Sequence, residues 1–337
     1  MAEATRTVVE ICAGAGGQSL GLERAGFRHT LAVELDADAA STLRANRPQW
    51  HVLEGDVRGV RGPEVPRTDL FAGGVPCPPF SVAGKQLGES DERDLFPEAL
   101  RIVEETGPRA VMLENVRGLA DPRFRNYRES VLARLERLGY ASEWRLVYAS
   151  DFGLAQLRPR FILVALQPDV ARYFRWPSPE LSGVTVGGVL QDLMGERGWT
   201  GTARWVRGAS EIAPTIVGGS KKHGGADLGP SRARAAWAKL GVNGSSVADA
   251  APGPDDSPDL TPRLTNRMVA RLQGFPDGWS FSGRKTSVYR QIGNAFPPPV
   301  AHAIGSSIGA ALADADGAAD FDARARLEAW EPELATA

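Results

Sequence analysis

Between residues 7 and 165, short apolar, β-branched runs alternate with stretches of helical periodicity, and this alternation constrains the chain to a parallel sheet joined by crossover helices. Strands are expected at 7–12, 30–34, 69–73, 110–113, 143–149 and 161–166. Helices are expected at 17–25, 37–46, 95–106 and 123–138, the last carrying Val131, Leu132, Leu135 and Leu138 at helical spacing. Every strand-to-helix junction then faces one edge of the sheet, where such folds place their ligands. From about 170 to 285 the pattern decays into Gly, Pro and Trp, which predicts a second, loop-rich domain with a helix near 263–272. An apolar helical pattern returns at 297–313, opened by Pro297-Pro298-Pro299.

The chain has 337 residues, 42% hydrophobic and 24% charged, ordinary values for a globular protein able to bury a large core. No apolar run approaches the roughly 20 residues that span a bilayer, so a soluble, cytoplasmic protein is expected. Two cysteines, Cys12 and Cys77, are too few for a disulfide framework or a cysteine-built zinc site, and no metal is expected. The net charge is −2, but residues 201–300 hold thirteen Lys and Arg against seven acids, leaving the remainder at −8. That asymmetry suits one part for chemistry and another for gripping phosphates.

Cys77 lies in Pro76-Cys77-Pro78-Pro79-Phe80-Ser81, directly after an expected strand. Prolines fix φ and lack N–H groups, so the segment is a stiff loop at a strand end, a setting that presents a thiol. At the first strand end, Glu10-Ile-Cys-Ala-Gly14-Ala-Gly16-Gly17 forms a glycine loop that lets a ligand approach the backbone before a helix. A dinucleotide fingerprint needs glycine at 19, which is Ser19. Glu34 ends the second strand, where it can accept from ribose hydroxyls, and Asp56 ends the third. Acidic strand ends disfavour a phosphate and suit a cationic, hydroxyl-bearing ligand such as S-adenosylmethionine, although a generic nucleotide pocket remains open on these residues alone.

The glycine loop, the Pro76-Cys77 loop, Glu114-Asn115-Val116, Gln156-Leu-Arg158-Pro-Arg160 and Arg290-Gln-Ile-Gly-Asn294-Ala-Phe-Pro follow one another in an order that resembles the DNA cytosine-5 methyltransferases of bacterial restriction–modification systems. The likeness runs from about residue 7 to 310, omitting the variable stretch at 175–260. It implies an α/β fold: a Rossmann-like, S-adenosylmethionine-dependent sheet from 1–175 plus 286–315, a smaller target-recognition domain at 176–285, and a tail at 316–337. Double-stranded DNA would lie in the cleft, with the enzyme a monomer beside a cognate restriction endonuclease. By the same resemblance Cys77 matches the nucleophile, Glu114 the acid on the cytosine ring, Asn115 a residue holding the site together, and Arg158 and Arg160 the arginines near the nucleophile and cytosine O2. Cys12, Ala13, Gly14, Gly16, Gly17, Glu34, Leu35, Asp56, Val57, Asn294 and Ala295 match cofactor positions. Ser81, Lys85, Arg93, Thr215, Lys221 and Lys222 are the expected DNA contacts. Cys12 and Leu35 stand where the family commonly carries aromatic rings, and Pro78 where many members have Gln.

Cytosine C5 attacks a methyl donor poorly unless a thiolate first adds at C6, which is why this chemistry needs Cys77 together with an acid and a cation. A tRNA methyltransferase on the same framework would carry a further cysteine after Cys77, and none follows. A catalytically dead DNA-binding regulator would have no need to retain Cys77, Glu114, Arg158 and Arg160.

Overall fold

The computed structural model describes residues 5–76, 94–180, 182–219 and 225–317. Cys77, Ser81, Lys85, Arg93, Lys221, Lys222 and the tail beyond Gly317 lie outside the described residues. The first half alternates as expected: β1 (Thr7–Ile11), α1 (Gly17–Arg24), β2 (Arg28–Glu34), α2 (Ala37–Asn46), β3 (Val52–Glu54), β4 (Leu70–Gly74), α3 (Phe96–Thr106), β5 (Ala110–Val116) and α4 (Arg125–Arg137). A hairpin of β6 (Ala141–Tyr148) and β7 (Pro159–Leu166) completes a seven-stranded sheet ordered β3-β2-β1-β4-β5-β7-β6.

The strand order reverses between β1 and β4. The chain winds outward through β2 and β3, then returns to pair β4 with β1, so Ile11 is flanked by Val33 and Gly73. A crevice opens at such a reversal, beyond the carboxyl ends of the strands. One expectation fails here: β7 runs antiparallel to both β5 and β6. The connection at 149–158 contains a short 3-10 turn, Ala149–Asp151, and no helix to carry the chain back across a sheet face, so β6 and β7 pair as a hairpin. The consequence is functional. Reversing β7 sets its first residues level with the last of β5, and Val116 pairs with Arg160.

Successive strand residues point to opposite faces. Val8, Leu70, Met112 and Ile162 pack with Val300, Ile304 and Ile308 of α11 (Pro298–Ala315). Val9, Phe71, Val111 and Leu113 pack with Leu100 and Val103 of α3 and Val131 and Leu135 of α4. α11 crosses α1 closely enough that a Cβ on Gly17 would lie 2.2 Å from the Phe296 carbonyl and one on Gly21 2.4 Å from that of Pro298. Past its last turn, Asp316 pairs with Arg6 at 2.5 Å and Arg109 at 2.8 Å.

The stretch read as loop-rich also contains helices: α5 (Pro168–Ala171) at its entrance, then α6 (Val186–Gly195), α7 (Thr202–Gly208) and α8 (Ser231–Lys239). They are short, and α6 opens with Gly187-Gly188, which hides its periodicity. Gly187 is there for contact, since a Cβ would meet the Val206 carbonyl of α7 at 2.4 Å. Their core gathers Trp199, Trp205 and Trp237 with α9 (Asn266–Leu272) and with Tyr289 and Ile292 of α10 (Lys285–Asn294). Thr265 caps α9, its hydroxyl accepting from the Met268 N–H at 3.2 Å.

Candidate active site and cofactor cavity

A cavity of two lobes, about 270 and 510 Å³, lies at the strand-order reversal, and both lobes touch Cys12, Glu34, Gly74, Glu114 and Asn294. The smaller is also lined by Ala13, Gly14, Gln18, Asp36, Arg290 and Ala295; the larger by Leu35, Asp56, Val57, Pro76, Asn115 and Arg160.

Beyond β1 the backbone turns through left-handed conformations at Cys12 (φ 51°) and Gly14 (φ 56°). A Cβ on Gly14 would meet nothing within 4 Å, so the open face of this loop is a cradle. Glu34 braces it from β2: one carboxylate oxygen accepts from the Gly14 N–H and the other from the Asp36 N–H, both at 2.7 Å. Burial pushes Glu34 above the ordinary glutamate range while those two N–H groups oppose the shift. Burial, then Glu34, Asp56 and Glu10, drive the Cys12 thiol far above its usual range and keep it protonated. Asp56 caps the short turn Val57–Gly59, accepting from the Arg58 N–H at 2.9 Å; that bond is the main reason its carboxyl is held low.

At the end of β5, Glu114 meets Arg160 of β7 with Nε and Oε1 2.5 Å apart, both residues buried. Burial holds the Arg160 guanidinium below its ordinary range and Glu114 opposes the shift. The carboxylate lies over Gly74, where a Cβ would come within 3.4 Å of it. Asn115 donates to the Val75 carbonyl at 2.7 Å and accepts from the Val116 N–H at 2.8 Å, tying the tip of β5 to the residues that lead into Cys77. Pro76, next to Cys77 in sequence, lines the larger lobe, and its carbonyl accepts from the Leu95 N–H at 3.3 Å.

Three groups of expected site residues lie elsewhere. Gly16 and Gly17 do not line the cavity: a Cβ on Gly16 (φ 88°) would strike Leu43 and Trp279, and Gly17 abuts Phe296, so both serve turning and packing. Arg158 is fully buried and points away, donating to the carbonyls of Ile216 at 2.7 Å, Gly293 at 2.8 Å and Ala295 at 2.7 Å. Thr215 is half-buried beside Ile216, whose N–H donates to Gln156 at 3.0 Å; it does not line the cavity. Sequence reasoning missed Gln18, Asp36 and Arg290. Asp36 could have been found as the cap of α2, with its side chain accepting from Asp38 and Ala39, and Arg290 opens a motif already singled out. Gln18 carried no signal. Among the described residues no cluster of His, Cys, Asp and Glu is placed to hold a metal.

The family model described as C-5 cytosine-specific DNA methylase matches residues 6–310. The chain is 62% identical over 309 residues to the Type II methyltransferase M.NaeI of Lentzea aerocolonigenes, covering 90% of this chain and 75% of that one. It is 52% identical over 310 residues to the Type II methyltransferase M.NgoMIV of Neisseria gonorrhoeae, covering 91% and 98%. Among solved structures, a Spodoptera frugiperda DNMT2 variant superposes with a TM-score of 0.63 at 16% identity, covering 90% of this chain and 99% of that one, a likeness of fold.

Proposed function

The chain belongs to the C-5 cytosine-specific DNA methylases and is a restriction–modification DNA cytosine-5 methyltransferase; from that premise we propose that it acts on a flipped cytosine through a covalent Cys77–C6 adduct. The observation that carries this reading is the buried Glu114–Arg160 pair facing the cavity that Pro76 also lines.

The cavity fits S-adenosylmethionine by its donor set. Glu34 and Asp56 offer carboxylates to hydroxyl and amino groups, Gly14 leaves room for backbone approach, and the buried Gln18 amide in the smaller lobe has no hydrogen-bond partner among the described residues. When bound, that cofactor supplies an electrophilic methyl group. Cys77 adds to C6 as the thiolate. Protonated Glu114 donates to N3 as electron density moves onto the ring, acid assistance worth roughly 10²- to 10⁴-fold. Arg160 orients that carboxyl and lends positive charge at O2. Asn115 ties the end of β5 to the Val75 carbonyl, two residues before Cys77. Once C5 carries the methyl group, its proton passes to solvent water, the C6–S bond breaks to release the Cys77 thiolate, and the N3 proton returns to Glu114, which restores the ring.

Atoms at C5 and C6 are unreachable inside a stacked duplex, so the base must leave the helix at a cost of a few kcal/mol. Residues 176–285, as the target-recognition domain, offset that cost through phosphate and base contacts, with Thr215, Lys221 and Lys222 among them and Ser81, Lys85 and Arg93 contributing from the segment after Cys77. The same reading makes the enzyme a cytoplasmic monomer paired with a cognate endonuclease.

A covalent trap tests it. Duplex DNA containing 5-fluorocytosine, with S-adenosylmethionine, should give a stable protein adduct that is absent in Cys77→Ala. An adduct with tRNA and none with DNA would refute the DNA assignment.

A further inference from the structure

The described residues on either side of 77–93 are fastened to one another and to the strand ends that carry the buried acid and cation. Before Cys77, the Val75 carbonyl accepts from the Asn115 side-chain amide at 2.7 Å, and the Pro76 carbonyl accepts from the Leu95 N–H at 3.3 Å. On the far side, Asp94 is 6% exposed, and its carboxylate accepts from the Tyr127 hydroxyl of α4 at 2.8 Å through Oδ1 and 2.7 Å through Oδ2. Oδ1 also accepts from the Phe96 N–H at 3.0 Å, one of the donors left open at the start of α3. Leu95, between these two, lines the larger lobe together with Pro76, Glu114 and Arg160. A buried carboxylate is costly unless donors meet it, and a phenol reaching from a second helix to both of its oxygens is more than a helix cap requires. Tyr127 also stands edge-on to Phe96, with ring centroids 6.0 Å apart; Phe96 lies 5.8 Å from Trp144 of β6, which stacks on Phe161 of β7 at 4.8 Å. Phe161 directly follows Arg160, so this row of rings ties Asp94 to the strand that carries the cation.

We propose that Tyr127 is a positioning residue for the nucleophile: its hydroxyl fixes Asp94, Asp94 fixes Leu95, and Leu95 fixes Pro76, the residue before Cys77. The proposal rests on reading Cys77 as the group that adds to cytosine C6. Glu114 is placed independently, by the pairing of β5 with β4 on one side and β7 on the other. Slack at Asp94 therefore passes to Leu95 and Pro76 and leaves the acid, the cation and the cofactor walls at Glu34 and Asp56 in place. A reacting group misplaced by about 1 Å can lose about a hundredfold in rate. Loss of the Tyr127 hydroxyl should slow thiolate addition and spare cofactor binding.

Two measurements separate those effects. Adduct formation with duplex DNA carrying 5-fluorocytosine, timed at saturating S-adenosylmethionine, follows the addition step, and calorimetry with S-adenosylhomocysteine follows the cofactor cavity. Tyr127→Phe keeps the ring against Phe96; it should trap about tenfold or more slower than wild type and bind S-adenosylhomocysteine within about twofold. Asp94→Ala should be at least as slow. Asp94→Asn keeps an oxygen for the hydroxyl and the Phe96 N–H, and should recover most of the rate lost in Asp94→Ala. Adding Tyr127→Phe to Asp94→Ala should slow trapping by no more than about twofold further, because both substitutions break the same contact. Trapping by Tyr127→Phe as fast as wild type, a loss of S-adenosylhomocysteine affinity equal to the loss of rate, or a further tenfold fall in the double variant would overturn the proposal. A wild type that forms no adduct would instead overturn the reading of Cys77 on which it rests.

Discussion

Replacing Arg158 separates a structural clamp from a residue at the reacting base. The guanidinium donates to three carbonyls and is completely buried. Methionine at 158 keeps most of the volume and none of the donors. The Ala295 carbonyl retains the Gln273 side-chain amide at 2.7 Å, so the carbonyls that lose this donor without a second side-chain donor are those of Ile216 and Gly293. Each buried acceptor left unpaired costs about 1–3 kcal/mol. Part of that is returned because a cation with no carboxylate in contact no longer has to be buried. The net expectation for Arg158→Met is a destabilisation of about 2 kcal/mol, roughly thirtyfold in the folding equilibrium. Arg158→Lys, with one ammonium for two directions, should fall between. Urea unfolding followed by the fluorescence of the eight tryptophans measures this directly. Because Gly293 and Ala295 adjoin Asn294 on the cavity wall, S-adenosylhomocysteine affinity should fall in parallel, while trapping by 5-fluorocytosine DNA at saturating cofactor stays within about tenfold of wild type. A variant as stable as wild type to within about 0.5 kcal/mol, yet a hundredfold slower in trapping, would refute the clamp and return Arg158 to the chemistry.

Glu34 gives a pH dependence with a definite sign. Its carboxyl is raised in the folded protein, so ionisation is penalised by folding; the penalty holds above the raised value and is relieved as pH falls through it. Cofactor hydroxyls need the ionised form. S-adenosylhomocysteine affinity should therefore decline on acidification at a higher pH than an ordinary glutamate would give, and Glu34→Gln should bind about tenfold more weakly with a flat profile in calorimetry; a parallel decline in the variant would assign the titration elsewhere. For Cys12, burial and three nearby carboxylates keep the thiol protonated. In Cys77→Ala at pH 8, iodoacetamide should label it at least tenfold more slowly than the unfolded chain, and equal rates by mass spectrometry would contradict the account.

The strand–helix alternation to residue 138 was legible because apolar spacing is local, and β1 through α4 follow it closely except for β3, whose three residues lie outside every expected strand range. The orientation of β7 was not. Its apolar run reads the same in either direction, and the hairpin follows from the absence of a crossover helix in 149–158. Short α6, with Gly187-Gly188 in its first turn, gave too little periodicity to register, since those glycines are spacers for the contact with α7.

Residue types and their order along the chain determined the α/β class, the methyltransferase family and the candidacy of Glu34, Asp56, Glu114, Asn115, Arg160 and Asn294. Those are constraints of chemistry, carried in which side chains are present and in what spacing. Tertiary structure decided which of two neighbouring arginines faces the cavity. Arg158 and Arg160 are two residues apart, yet the antiparallel entry of β7 beside β5 brings Arg160 to Glu114, while Arg158, at φ 25°, turns into the protein to meet three carbonyls. It also decided that Gly17 is a contact with Phe296 and that Gln18, anonymous in the sequence, lines the cavity. Such outcomes depend on what distant segments bring alongside a residue, and no local pattern encodes that.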